Sequence, residues 1–133
     1  MIKGLGARVH LFVRPEYRER FVALFRDALG CQVRELDFGL AHPIALVAFE
    51  DRSAFSVEFT DEAMVEPPGE TLDDAPAPRG ARIEFRTDDL AGAQQRLRDA
   101  SIREFRHAGS AHSYFCAPGG QIFRLLDVAY EGP

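Results

Sequence analysis

The sequence has no tryptophan, only two cysteines, no run of basic residues and no long apolar stretch among its 133 residues. Cys31 and Cys116 lie far apart and outside any CxxC spacing, so neither a disulfide framework nor a cysteine zinc site is indicated, and a reducing, cytoplasmic setting fits. No segment approaches the ~18 apolar residues that a membrane helix requires, and the opening MIKGLGARVHLFV carries no cleavage signal. The formal charge is -5, with 16 basic against 21 acidic side chains. A nucleic-acid surface and electrostatic membrane docking are therefore not expected, which leaves small molecules or other proteins as partners. GLGAR lacks a third glycine and precedes a strand, so it is no dinucleotide loop.

What is present is a 46% hydrophobic content, enough to bury one core, and a pattern that repeats. GARVHLFV at 6–13 recurs as GARIEFRT at 80–87, FRDALG at 25–30 as LRDASI at 97–102, and FEDRSAFSVEF at 49–59 lines up with FCAPGGQIFRL at 115–125. The offset shrinks along the chain, as loop deletions in the second copy would make it do. In the first copy residues 7–13 alternate like a strand, Pro15 suits an early helical position, and Tyr17, Phe21, Leu24, Phe25 and Ala28 follow helical spacing up to Gly30. Strands are expected near 31–38, 43–50 and 54–60. In the second, Thr87 or Asp88 caps a helix carrying Leu90, Ala93, Leu97 and Ala100, before strands near 102–107, 111–117 and 120–128. The chain thus divides into a βαβββ module at 1–60, a linker rich in proline and acidic residues at 61–79, and a second βαβββ module at 80–133. A ferredoxin-like sandwich is the main alternative, and the third strand of each unit argues against it.

Alternation sorts each strand into two rows. Val9, Leu11 and Val13 oppose Arg8, His10 and Phe12; Ile83 and Phe85 oppose Arg82, Glu84 and Arg86. Phe55, Val57 and Phe59 oppose Ser56, Glu58 and Thr60, and Phe123 and Leu125 oppose Ile122, Arg124 and Leu126. One row is apolar and should pack on the helices, while the other collects the charge. Such a row can simply be the water-facing side of a sheet; the repeat gives it a second reading, in which matching positions line a shared cleft.

RVHLFV, FSVEF, ARIEF and the ending FCAPGGQIFRLLD together resemble the vicinal oxygen chelate superfamily, the group of glyoxalases, bleomycin-resistance proteins and extradiol dioxygenases. The ending is similar to that group's Phe-x-Asp-Pro-Asp-Gly-Asn-x-Ile-Glu-Leu: Pro118 and Gly120 keep its turn, and Cys116 and Gly119 replace its two acids. The resemblance implies an α+β fold in which two βαβββ modules form an open, incomplete barrel with helices on the convex side, often completed across a homodimer. It also implies up to four metal-ligand places, which fall on His10, Glu58, Glu84 and Arg124. An imidazole and two carboxylates suit a divalent zinc, manganese, nickel or iron, whereas a guanidinium has no lone pair to offer.

Three functions follow from that set. The first is a bleomycin-resistance-like protein that binds a small organic molecule between the modules without a native metal, through Arg8, His10, Glu58, Glu84, Tyr114 and Arg124. The acidic chain favours cationic ligands for it; against that, Arg8, Arg82, Arg86 and Arg124 would make the cleft locally basic, which suits a carboxylate or phosphate better. The second is a divalent-metal-dependent lyase, isomerase or dioxygenase using His10, Glu58 and Glu84, with Glu58 or Glu84 moving a proton. The third is a structural domain stabilised by a Glu58, Glu84 and Arg124 network. His112 and Cys116 lie two face steps apart, ~13 Å, too far for a thiol and its base to touch; His42 and His107 are expected near loops.

Overall fold

The computed structural model describes residues 1–63, 81–105 and 112–132. The first strand, β1 (Val9–Val13), leads through Pro15, whose fixed φ opens a 3-10 turn at Pro15–Tyr17, into helix α1 (Arg18–Ala23). The helix widens into a π turn over Leu24–Ala28, and the chain then reverses at Gly30 with φ at 70°. Strands β2 (Gln32–Leu36), β3 (Ile44–Ala48) and β4 (Ala54–Phe59) complete the first unit. The second unit repeats the order with β5 (Arg82–Thr87), α2 (Leu90–Asp99), β6 (Glu104–Phe105), β7 (Ser113–Cys116) and β8 (Ile122–Asp127). Residues 64–80, which hold most of the expected linker, and His107 lie outside the described residues.

Each unit makes a four-stranded mixed sheet, in the orders β1-β4-β3-β2 and β5-β8-β7-β6, with no barrel closed among the described residues. This is the α+β, two-module architecture that the repeat implies. No helix among the described residues is long and apolar enough to cross a membrane. Asp89 caps α2, accepting from the Gly92 amide at 2.9 Å, in place of the expected Thr87 or Asp88. The Thr87 hydroxyl instead accepts from the Asp89 amide, one step earlier in the same turn.

The inner, apolar rows share one core. Phe21 and Phe25 from α1 and its π turn, Phe55 from β4, and Phe115 and Phe123 from the second sheet are all buried in it. The Phe55 and Phe123 rings are 6.1 Å apart, and Phe25 reaches Phe123 at 5.6 Å and Phe85 at 5.9 Å. Were β1 and β5 neighbours in one continuous sheet, β4 and β8 would be three strand spacings apart, about 14 Å, so ring contact argues that the sheets meet through their apolar faces. The helices meet too, with Leu97 of α2 in the same core and the Arg96 guanidinium donating to the Ala28 carbonyl at 3.3 Å. At the β7–β8 turn Gly119 has φ at 97°, and a Cβ added there would come within 2.5 Å of the Val13 side chain of β1. Only glycine combines that backbone with so close an approach of one unit to the other.

Candidate functional site

Because the apolar rows face each other, the rows holding the expected site residues lie on the outer faces of the two sheets. In the first sheet β1 runs parallel to β4 with His10 level with Ser56 and Phe12 level with Glu58. The imidazole sits between two partners: Nδ1 is 2.6 Å from Ser56 Oγ and Nε2 is 3.4 Å from Glu58 Oε2. The Phe12 ring meets it edge-on at 5.0 Å. Both side chains of the His10 and Glu58 pair remain about one-third exposed, so the trio is accessible from outside the sheet. Arg8 is exposed just before β1.

In the second sheet Glu84 of β5 is level with Arg124 of β8, and Arg124 is level with Tyr114 of β7. The guanidinium donates to Glu84 Oε2 through Nε at 2.8 Å and through Nη2 as well. That hydrogen bond, with a further one to the Tyr114 hydroxyl, raises Arg124 above the usual arginine value, against the opposing effect of burial. Arg124 is the buried member, its side chain 9% exposed against 43% for Glu84. Tyr114 is itself buried, and the Arg82 guanidinium lies over its ring at 5.7 Å, with Nη1 3.5 Å from its hydroxyl.

The outer row of β8 does not simply collect charge. Ile122 and Leu126 are buried beside Arg124, and Ile122 joins Phe105, Tyr114 and Cys116 in a second, smaller apolar cluster. That is the reason the sequence IFRLLD reads as a nearly continuous apolar run: the strand is covered on both faces. His112 packs edge-on against Tyr130 at 4.6 Å, and Cys116 is buried. Cys31 is half-buried, and burial pushes its thiol above the usual value.

Register also alters the equivalence between the two units. If β1 and β5 are matched through His10 and Glu84, the residue level with His10 is Ser56 and the residue level with Glu84 is Arg124. Arg124 then stands in the place of Ser56 rather than Glu58. The sequence alignment is out by two residues on one strand, and a two-residue slip leaves every side chain on the same face, so alternation cannot detect it. Ser56 is accordingly the site residue that the alternation pattern passed over.

His10 and Glu58 are brought together, as are Arg82, Glu84, Tyr114 and Arg124; within one chain Glu84 does not join the first pair. No group of three or more His, Cys, Asp or Glu side chains suited to a metal ion occurs among the described residues. The donor chemistry agrees: His10 and Glu58 offer two ligands, and Glu84 is already bound by a cation that has no lone pair to give. Among the described residues of a single chain, the donors present do not fit a divalent metal.

No family model and no curated protein matches the chain. Solved structures do. A glyoxalase/dioxygenase from Nostoc punctiforme superposes with a TM-score of 0.66 at 15% identity, over 91% of this chain and 88% of its own. The fosfomycin resistance protein FosX from Listeria monocytogenes gives 0.65 at 14%, over 100% and 97%. An antibiotic binding protein from a Streptomyces species gives 0.64 at 17%, over 96% and 98%. At such identities the likeness is one of fold, and the fold is the one that the resemblance in the sequence implies.

Proposed function

We propose that this chain, which has the glyoxalase-like fold of the vicinal oxygen chelate superfamily, binds a small organic molecule in a cleft completed by a second copy of itself, without a native metal. The observation that carries the metal-free reading is the Arg124 to Glu84 ion pair, which commits one expected ligand to a buried guanidinium. The homodimer is supported by the opposed placement of the two outer faces, which a single chain cannot close into one cleft. Among the described residues β1 and β5 are both sheet edges, each paired on one side only, and Val9 and Phe12 of β1 are large apolar side chains left exposed. A second chain could cover these edges and set the outer face of one sheet against that of the other. Within the cleft, Arg8, His10, Glu58, Glu84, Tyr114 and Arg124 are assigned to ligand contact or to the support of contacting groups. Light scattering at micromolar concentration tests the assembly: a dimer is expected, and a monomer contradicts the composite cleft.

A metal-dependent lyase, isomerase or dioxygenase is the second reading. It is favoured by the 3.4 Å approach of His10 Nε2 to Glu58 Oε2, close enough for both to face one cation. It requires stoichiometric zinc, manganese, nickel or iron that is lost with His10→Ala.

A further inference from the structure

Among the described residues, the outer rows of the adjacent strands β5 and β8 hold three guanidiniums, those of Arg82, Arg86 and Arg124, and one carboxylate, Glu84, in a chain whose formal charge is -5. Arg124 and Glu84 neutralise each other. Arg82 and Arg86 sit one face step to either side of Glu84 on the exposed edge strand β5, and neither forms an ion pair among the described residues. Two free cations thus flank a neutral pair. Arg82 is moreover held in place: its guanidinium lies over the Tyr114 ring and reaches the Tyr114 hydroxyl, which leaves its remaining N–H groups for another partner. An acidic protein gains nothing for solubility from an uncompensated basic patch, and ordering a guanidinium against a buried aromatic ring loses side-chain entropy.

We infer that this patch is the anchor for a ligand carrying an oxyanion, a carboxylate or a phosphorus oxyacid, with Arg82 as the primary contact and Arg86 as the secondary one. The inference rests on the ligand-binding reading above and specifies its substrate class. A guanidinium offers parallel N–H donors that match two oxygens of a carboxylate or phosphonate, whereas a neutral amide presents one oxygen and an amine is repelled. Arg124 is not the anchor, because it is buried and its charge is already paired with Glu84. Its role is to hold Glu84, the carboxylate between Arg82 and Arg86 on β5, so that it does not quench them.

The test is a titration of the full chain with benzoate, phenylphosphonate, benzamide and benzylamine at equal ionic strength, following backbone amide shifts. Benzoate and phenylphosphonate should move amides of β5 and β8 and bind about tenfold or more tighter than benzamide, with benzylamine weakest. Arg82→Gln should weaken the two anions about tenfold and leave benzamide unchanged, and Arg86→Gln should do so to a smaller extent. Both residues are exposed and neither is in an ion pair among the described residues, so Arg86→Gln should keep the wild-type spectrum elsewhere and Arg82→Gln should shift in addition only the surroundings of Tyr114. Arg26→Gln, a change of equal charge on the π turn after α1, controls for general electrostatics and should leave all four affinities as they were. If benzamide or benzylamine binds as tightly as benzoate, or Arg82→Gln changes nothing, the oxyanion assignment is overturned while the binding cleft stands. If no probe moves any amide of β1, β4, β5 or β8, both readings fall.

Discussion

Removing Glu84 should destabilise the protein more than removing Arg124, although the two form one ion pair. The asymmetry comes from burial: the Arg124 side chain is 9% exposed and that of Glu84 is 43% exposed. Glu84→Ala strands a buried guanidinium, and deleting one partner of a buried pair costs about 3–5 kcal/mol. The Tyr114 hydroxyl stays as a partner for Arg124, which puts the cost near the lower figure, about 3 kcal/mol. Arg124→Met leaves Glu84 to water, keeps an unbranched apolar side chain between Ile122 and Leu126, and removes the burden of burying a charge. Its cost is that of a half-exposed ion pair, about 1 kcal/mol. Urea unfolding of both variants at one protein concentration reads the difference, and in thermal melts it should appear as about 10 °C against about 3 °C for a domain of this size. Equal losses, or a larger loss for Arg124→Met, would refute the reasoning and mean that water or another anion already serves Arg124.

Gly119→Ala should cost about 2–4 kcal/mol, because the new methyl meets Val13 at 2.5 Å on a backbone with φ at 97°; a paired Val13→Ala change should recover part of it, and a melt unchanged by Gly119→Ala would contradict the close approach of the two units. Phe25→Ala removes the ring that touches Phe21, Phe55, Phe85 and Phe123 together and should cost about 3–5 kcal/mol, with both sheets losing amide protection in a single transition. Cys31 should react with iodoacetamide at pH 8 more slowly in the folded protein than after unfolding, since burial holds its thiol above the usual value. The same shift makes its contribution to stability complete at neutral pH; that contribution is lost as pH rises past the ordinary thiol value and through the folded one.

Much of this fold is legible in the sequence because it is built from two short periods. Alternation in RVHLFV and FSVEF sorts inner from outer residues except at Val9, which is left exposed at the start of β1, and Phe21, Leu24, Phe25 and Leu97 point to the core at helical spacing. The same periods set the limits. A period of two cannot distinguish Ser56 from Glu58 as the neighbour level with His10, since both lie on one face. A charge within an apolar run reads as an exposed outer position, yet Arg124 is buried because β8 is the second strand of its sheet and is covered on both faces. Capping at Asp89 in place of Thr87 or Asp88 was unreadable for a local reason: Thr87, Asp88 and Asp89 all have oxygens suited to the role, and the turn itself selects among them. That His10 and Glu58 lie apart from Glu84 follows from the way the sheets share one core, a long-range fact that no local pattern records.

The most direct measurement is metal analysis, followed by calorimetric titration with zinc, manganese, nickel and iron, on untagged protein purified without chelator. A guanidinium committed to Glu84 predicts less than about 0.1 metal per chain and no saturable heat at micromolar metal. One equivalent of bound metal per chain, lost on His10→Ala, would contradict the account.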